Sequence, residues 1–333
     1  MKLLDIIVTH YKESWATGKK FFDMLALQRC VNFDDIRVIL VNDGADGALD
    51  ESIFSEYPFK VDVLTIPHGG ISAARNAGID ATQARWLTFC DFDDLYASVY
   101  SLRQVFMVLD TNAFDILYAD FISEDRMKSG ETLLHKRGEN TVFIHAKFWR
   151  REWLIDSGIR FNTGLQFNED SAFCTVAFNT ADYKRTGHID SSIPVYIWCY
   201  TENSATTTQS NRIKCLIGLY ERNKIVCEHY KTLDYKRYCA MVSRTIHDAY
   251  WCFNLKELPE EAKPYLDDFK RFWKEHKRQY LDTDPQLMRE VAEAARIEHE
   301  TGDNEEEARF LHSKSLETNT DISLSQWLFS FEQ

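Results

Sequence analysis

Acidic side chains of the kind that bind divalent cations follow a largely apolar run in this chain. Residues 86–90 form the run, and Asp91, Asp93 and Asp94 come directly after it. Three carboxylates within four residues repel one another unless a cation or solvent screens them. Oxygen ligands suit Mg²⁺ or Mn²⁺, which typically bridge one or two carboxylates to substrate phosphates. The Asp-x-Asp motif therefore predicts a metal site at the end of a buried strand, although such motifs also occur by chance on surfaces.

A pair of glycines marks a second candidate site. Gly69 and Gly70 precede a helical stretch over residues 71–81, and Arg75 lies one turn into that stretch. Glycines permit a close backbone approach, and the free N–H groups of a helix start favour an anion. Arg75 could add a charge-assisted contact to a diphosphate. The pattern fits equally well an arginine that pairs with a neighbouring acid on a tightly packed helix.

Two more acidic positions lie where predicted elements end or begin. Asp43, followed by Gly44, ends an apolar run, where a carboxylate can accept hydrogen bonds from a uracil imide or a ribose hydroxyl. Asn-Asp-Gly is also an ordinary turn. Glu169 and Asp170 open a helical stretch, where one carboxylate suffices as a general base. Acids in a first helical turn also stabilise the helix by about 0.3–1 kcal/mol, because their charge interacts favourably with the helix dipole. Each motif alone leaves both interpretations open.

These candidate residues need a scaffold, and the hydrophobic pattern predicts one. Apolar runs predict strands over residues 3–9, 36–42, 61–66, 86–90, 115–119 and 193–200. Helical spacing predicts helices over residues 15–29, 71–81, 149–158 and 169–179, and long helices from about residue 211. Such alternation implies an α/β fold with a mostly parallel sheet flanked by helices, and ligands bind at the carboxyl ends of its strands. In the C-terminal helical region, Trp251, Phe253, Phe272 and Trp273 are expected in the core.

Composition excludes several classes of protein. The 333 residues include 39 basic and 52 acidic side chains, a net charge of −13, which argues against a general nucleic-acid binder. The eight cysteines form no C-x-x-C pair, so we expect reduced, interior thiols and no zinc ribbon. No apolar stretch approaches the ~18 residues of a membrane span. We expect a cytoplasmic protein without a transmembrane segment, and peripheral association with a membrane stays open.

In their order and spacing, these motifs resemble those of inverting family 2 glycosyltransferases with the GT-A fold. The matching stretches are residues 6–13, 41–44, 69–76, 91–94 and 168–173, and the resemblance covers roughly residues 3–206. It implies a GT-A (Rossmann-like) domain over residues 1–208, with a mixed, mostly parallel sheet. The nucleotide-sugar half would span about residues 1–105 and the acceptor half about 106–208. A helical C-terminal region would follow over residues 209–333.

The resemblance also implies roles for individual residues. It implies a nucleotide-sugar donor, most often a UDP-sugar, and Mn²⁺ or Mg²⁺. Asp93 would be the main metal ligand with Asp91 beside it, and Asp170 would be the catalytic base with support from Glu169. Relatives often carry an arginine in the segment that closes over the diphosphate, whereas residues 198–206 carry none. The residues expected to bind the nucleotide-sugar are Thr9, Tyr11, Glu13, Asp43, Arg75, Asp91 and Trp198.

The expected activity is therefore metal-dependent transfer of a sugar to an acceptor hydroxyl by a single, inverting displacement. The acceptor would be a glycan, a lipid-linked sugar or a protein, and the C-terminal helices could form a homo-oligomer. One alternative is a sugar nucleotidyltransferase, which would need a glycine-rich loop after the first strand. Residues 9–13, which follow that strand, contain no glycine. The other alternative is a non-catalytic sugar- or nucleotide-binding protein of the same fold. The presence of Asp91, Asp93 and Asp170 argues against it.

Overall fold

The chain forms two compact units in the computed structural model, which describes residues 2–44, 49–109, 111, 113–126, 130–189, 193–201, 212–300, 319 and 321–332. The first unit holds the described residues up to Thr201, other than Gly130 and Leu165–Asn168. The second unit holds those residues and the described residues from 212 onward. The domain boundary near residue 208 and the segment 203–206 lie outside the described residues, so the boundary stays a prediction.

A seven-stranded sheet forms the centre of the first unit, in the order β10-β6-β9-β4-β1-β2-β3. Neighbouring strands run parallel except at β9, which is antiparallel to both of its neighbours. This arrangement confirms the predicted mixed, mostly parallel sheet. The strands are β1 (Leu4–His10), β2 (Ile36–Asp43), β3 (Lys60–Ile66), β4 (Trp86–Asp91), β5 (Leu95–Tyr96), β6 (Ile116–Ala119), β7 (Phe121–Arg126), β8 (Thr132–Arg137), β9 (Lys147–Arg150), β10 (Thr186–Ile189) and β11 (Tyr196–Trp198).

Helices cover both faces of this sheet, which explains why its central strands are continuous apolar runs. Ile6 of β1 belongs to a buried cluster that includes Phe22 of the first helix. Ile7, one residue along, faces the other way into a cluster with Ala74 and Ile79 of the second helix. The helices of this unit are α1 (Trp15–Ala26), α2 (Ile71–Ala81), α3 (Ser101–Leu109), α4 (Arg151–Asp156) and α5 (Glu169–Thr180).

A second, four-stranded sheet has the order β5-β11-β7-β8. The run over residues 193–200 contains β11, which is shorter than predicted. The helix predicted over residues 149–158 begins only at Arg151, because Trp149 lies in β9. There Trp149 pairs with Leu87 and Ile116 on the two neighbouring strands, and its side chain is fully buried. Pairing with strands distant in sequence thus overrides the local helical pattern.

The second unit is helical, as predicted. Its apolar core includes Phe253, Phe272 and Trp273, whereas Trp251 is only half-buried. None of the helices in the described residues is long and apolar enough to cross a membrane. The helices are α6 (Arg212–Lys231), α7 (Tyr235–Phe253), α8 (Lys263–Leu281), α9 (Pro285–Glu300) and α10 (Leu324–Phe329).

Candidate functional site

Strands β1, β2 and β4 end at the same edge of the seven-stranded sheet. β1 lies between the other two in parallel register, and Thr9 pairs with both Val41 and Asp91. The residues that follow these strands therefore converge, which brings Asp43 to the edge that holds Thr9 and Asp91. In open α/β sheets this edge is where ligands bind.

A buried arginine joins two of the predicted acidic motifs at this edge. Arg75 is 3% exposed. Its Nη1 donates to Glu169 Oε1 at 2.9 Å and its Nη2 donates to Asp91 Oδ1 at 3.1 Å. Burial disfavours the guanidinium charge, but Asp91, Glu169 and Asp170 outweigh it and raise the pKa of Arg75. Arg75 therefore pairs with neighbouring acids, the second of the two possibilities that the sequence left open. A bound diphosphate would have to share its guanidinium with these two carboxylates.

Glu169 and Asp170 begin helix α5. Asn168, just before the helix, has a φ of 62°, a left-handed conformation that asparagine tolerates. The N–H of Ser171 donates to Asp170 Oδ1 at 2.7 Å. Burial raises the pKa of both acids, repulsion from Asp170 adds to the shift at Glu169, and Arg75 opposes it at both. Of the two, Glu169 is held directly by the guanidinium, which leaves Asp170 as the acid without an arginine partner among the described residues.

The turn of residues 91–94, called the acidic turn below, follows β4 and is tied down by hydrogen bonds. Thr201 Oγ1 donates to Asp93 Oδ2 at 2.5 Å. Asp94 is fully buried and accepts from Tyr196 Oη at 2.7 Å and from the N–H of Cys199 at 2.8 Å. Burial raises the pKa of Asp93 and of Asp94, and like-charge repulsion within the turn raises both further.

The donor groups around the acidic turn fit a divalent cation. Oxygens of Asp91 and Asp94 and a ring nitrogen of His145 all lie within 4.8 Å of one another. His145 is 4% exposed, and its Nδ1 has no hydrogen-bond partner in the described part of the chain. Burial lowers the pKa of His145 to about 4, so the imidazole is neutral at pH 7 and can act as a ligand. Asp93 does not belong to this group of three. The group and the metal site predicted from the sequence therefore have one residue in common, Asp91.

At the end of β2, Asp43 caps the glycine turn. Its Oδ1 accepts from the N–H of Gly69 at 2.7 Å, and its Oδ2 accepts from the N–H of Gly70 at 2.9 Å. The Nδ1 of His68 lies 2.9 Å from the same Oδ2. Gly70 has a φ of 82°, which a non-glycine residue rarely adopts. The N–H groups of both glycines are therefore bound to Asp43, directly before the helix start whose free N–H groups were predicted to favour an anion.

The remaining predicted residues border this region. Tyr11 stacks on His68 with ring centroids 4.3 Å apart. Glu13 accepts from the N–H of Tyr11 at 2.8 Å, and its charge contributes to the raised pKa of Asp93. Trp198 stacks on His145 at 5.1 Å, next to the acidic turn. The structure therefore brings Tyr11, Glu13 and Trp198 to the surroundings of the acidic turn or of Asp43.

Sequence reasoning missed several residues that contact this site, among them Cys199 and Thr201, which bind the acidic turn. Asp94 was visible in the motif but had no separate role, and Tyr196 lay inside a predicted strand. His68 and His145 are single histidines with no spacing signal, so only the three-dimensional structure reveals their contacts.

The fold is that of the GT-A glycosyltransferases. It is similar to the first 349 residues of TarS from S. aureus, alone and in complex with UDP-GlcNAc, with a TM-score of 0.62 for each. The identities are 18% and 17%, and the alignments cover 90% of this chain and 88% and 89% of those chains. At this identity the likeness shows the fold alone.

The sequence identifies the family. The profile described as "Glycosyl transferase family 2" matches residues 5–181, just over half of the 333 residues, and the chain belongs to this family. It is 28% identical over 194 residues to the "Uncharacterized glycosyltransferase EpsJ" of Bacillus subtilis, covering 52% of this chain and 55% of EpsJ. It is 25% identical over 167 residues to the "Minor teichoic acid biosynthesis protein GgaA" of the same organism, covering 44% and 37%. The chain thus spans about half or less of the length of these relatives. The resemblance to family 2 glycosyltransferases that was inferred from the motifs is confirmed.

Proposed function

We propose that this enzyme transfers a sugar from a nucleoside diphosphate sugar to an acceptor hydroxyl, with inversion, and that it requires a divalent cation. The observation that carries the proposal is a charge imbalance at the carboxyl edge of the sheet. Asp91, Glu169 and Asp170 act on the buried guanidinium of Arg75, and Asp93 and Asp94 lie beside Asp91 in the acidic turn. Among the described residues, these five acids face two buried cations, Arg75 and Lys147, the second of which acts on Asp170. Buried charge without a counter-ion is costly. A cation bound there relieves that cost.

Asp91 and Asp93 are the carboxylates that we assign to the cation, Mn²⁺ or Mg²⁺. Both retain some exposed surface, whereas Asp94 is fully buried and both of its oxygens already accept hydrogen bonds. Asp91 and Asp93 can therefore face a diphosphate, and Asp94 supports them from the interior. When bound, the cation would act as a Lewis acid that stabilises the charge on the departing diphosphate.

Asp170 is the proposed catalytic base. Burial moves the pKa of Asp170 toward neutral pH, so its carboxylate is a better proton acceptor than that of an ordinary aspartate. Glu169 is anchored by Arg75 and orients the first turn of α5. Asp170 would take the proton of the acceptor hydroxyl while the oxygen attacks the anomeric carbon from the face opposite the diphosphate, which inverts that carbon.

A UDP-sugar is the proposed donor, bound by Thr9, Tyr11, Glu13, Asp43, Arg75, Asp91 and Trp198. TarS, whose fold is shared, is known in complex with UDP-GlcNAc. A carboxylate has about four lone-pair sites, and Asp43 uses three of them on His68, Gly69 and Gly70. One site remains for a uracil imide. Because GgaA is named for minor teichoic acid biosynthesis, we favour a glycan or a lipid-linked saccharide as the acceptor.

A donor panel tests this proposal. The chain would be incubated with several nucleotide-sugars and with saccharide or lipid-linked acceptors, with Mn²⁺ or with EDTA. We expect release of nucleoside diphosphate that requires the metal and falls about 10²–10⁴-fold in Asp170→Asn. Donor affinity should be retained in this variant, and Asp80→Asn, at an exposed aspartate of α2, serves as the control. In a parallel incubation with a nucleoside triphosphate and a sugar 1-phosphate, release of pyrophosphate would indicate a nucleotidyltransferase instead. No release of nucleoside diphosphate with any donor would contradict enzymatic transfer.

A further inference from the structure

Tyr196 reaches the acidic turn from the second sheet of the first unit. It lies in β11 and is 1% exposed. Its hydroxyl oxygen accepts from the backbone N–H of Asp91 at 3.0 Å, and the hydroxyl donates to Asp94 Oδ2 at 2.7 Å. A single hydroxyl therefore binds both ends of the turn, one through the backbone and the other through a carboxylate.

The residues after β11 hold the same turn at two further points. The N–H of Cys199 donates to the other oxygen of Asp94 at 2.8 Å. The hydroxyl of Thr201 donates to Asp93 at 2.5 Å. Within the turn, the N–H of Asp94 donates to the carbonyl of Asp91 at 3.3 Å. Three like charges thus keep one arrangement although they repel one another.

The ring of Tyr196 cannot easily relocate its hydroxyl, because aromatic neighbours fix it. His145 stacks on it with centroids 5.4 Å apart, and Tyr96 meets it edge-on at 6.2 Å. Phenylalanine would satisfy these packing contacts equally well. The hydroxyl thus serves the acidic turn and, beside it, the thiol of Cys90 at the end of β4.

We propose that the hydroxyls of Tyr196 and Thr201 are positioning groups that hold Asp91 and Asp93 in the geometry that binds the cation and the donor diphosphate. The inference rests on the proposed function. Neither residue is placed in contact with the reacting atoms. Groups that orient metal ligands in this way typically change metal affinity by 10–100-fold when they are removed.

Tyr196→Phe tests this inference, with Tyr96→Phe as the matched control. Tyr96 faces Tyr196 in the antiparallel register of β5 and β11, is equally buried, and its hydroxyl contacts only the Cys90 thiol at 3.8 Å among the described residues. Titration calorimetry with Mn²⁺ and initial rates at varied donor would be measured. We expect Tyr196→Phe to weaken Mn²⁺ binding about 10–100-fold and to raise the donor KM, with kcat changed far less at saturation. Tyr96→Phe should leave both within about twofold, the outcome expected for a hydroxyl that only packs.

Thr201 gives an independent test should Tyr196→Phe lose its cooperative thermal transition. Thr201→Val removes the hydroxyl and keeps the shape, and Thr201→Ser restores it. We expect weaker Mn²⁺ binding in the first variant and recovery in the second. Wild-type protein that binds no Mn²⁺ would contradict the metal site of the proposed function itself. Wild-type protein that binds Mn²⁺ while Tyr196→Phe, or in its place Thr201→Val, binds it equally well would overturn only this inference.

Discussion

The two ends of strand β1 hold buried acids in opposite states of charge balance. At the amino end, Asp5 is fully buried and accepts four hydrogen bonds of 2.7–2.9 Å. Two come from Arg37, and the others come from the N–H groups of Gln83 and Ala84. Arg37 also binds Asp62 at 3.1 Å. Every buried charge at this end therefore has a partner within the chain.

At the carboxyl end, the five acids of the acidic turn and of the start of α5 face two buried cations among the described residues. Arg75 forms ion pairs with Asp91 and Glu169, and the charge of Lys147 acts on Asp170. Burial raises the pKa of Asp93 and Asp94, and of the acids at the start of α5. Perturbed carboxyls of this kind cluster at functional sites. The comparison teaches that the acid at the balanced end has its counter-charge within the chain, whereas the unbalanced end has more carboxyls than buried cations, as the proposed cation site requires. Four predictions test this difference.

The largest expected effect is at the balanced end. Asp5→Asn removes the fully buried carboxylate that binds Arg37 and leaves the guanidinium with the half-exposed Asp62 as its remaining ion-pair partner among the described residues, so the free energy of unfolding should fall by about 3 kcal/mol. Urea denaturation of the metal-free chain measures it. A loss below about 1 kcal/mol would show that this end is not the structural pair that its geometry indicates.

Gly18 in α1 packs against Phe92, so a substitution at Gly18 should disturb the acidic turn at the unbalanced end. A Cβ at this position would lie 2.1 Å from Cζ of Phe92, the apolar residue of the acidic turn. Gly18→Ala should cost about 1–3 kcal/mol by overpacking and should also weaken Mn²⁺ binding, because Phe92 must move. Gly78→Ala is the control, since its Cβ would lie 2.4 Å from Ile7 in the sheet core. If both variants lose stability and neither loses Mn²⁺ affinity, the coupling is absent.

Asp93→Asn tests the unbalanced end directly. Removal of one repelling charge should leave the free energy of unfolding unchanged or slightly higher, while Mn²⁺ affinity falls at least tenfold, about 1.4 kcal/mol. Urea denaturation and calorimetry on the same sample give both numbers. A large loss of stability with intact Mn²⁺ binding would show that Asp93 stabilises the fold and does not bind the cation.

The smallest effect is the pH dependence of stability. Glu169 and Asp170 have raised pKa values in the folded chain, so the folded state binds their protons more tightly than the unfolded state does. Their contribution is most favourable at low pH and is lost as the pH rises through the raised pKa values. The contribution of these two acids should therefore fall by on the order of 1 kcal/mol between about pH 5 and pH 8, against the opposite contribution of His145, whose pKa is lowered by burial. Asp170→Asn should lose less over the same range, and an identical decline in both chains would contradict this origin.

Local signals explain what could be predicted of the fold. Helix α2 has the predicted bounds, Ile71–Ala81, because a glycine pair sets its start. The first four strands are largely apolar runs, and each was predicted to within one residue of its bounds. Strand β9 was missed because its pairing partners, Leu87 and Ile116, lie 62 and 33 residues from Trp149 in the sequence.

The sequence alone determined the family and the positions of the acids, since both depend on residue types in a fixed order along the chain. The tertiary structure alone decided which of those acids is paired. Arg75 meets Glu169 across 94 residues, and Tyr196 meets Asp94 across 102. Such contacts depend on how the sheets and helices pack, and hydrophobic periodicity carries no information about them because it reports only which face of an element is buried.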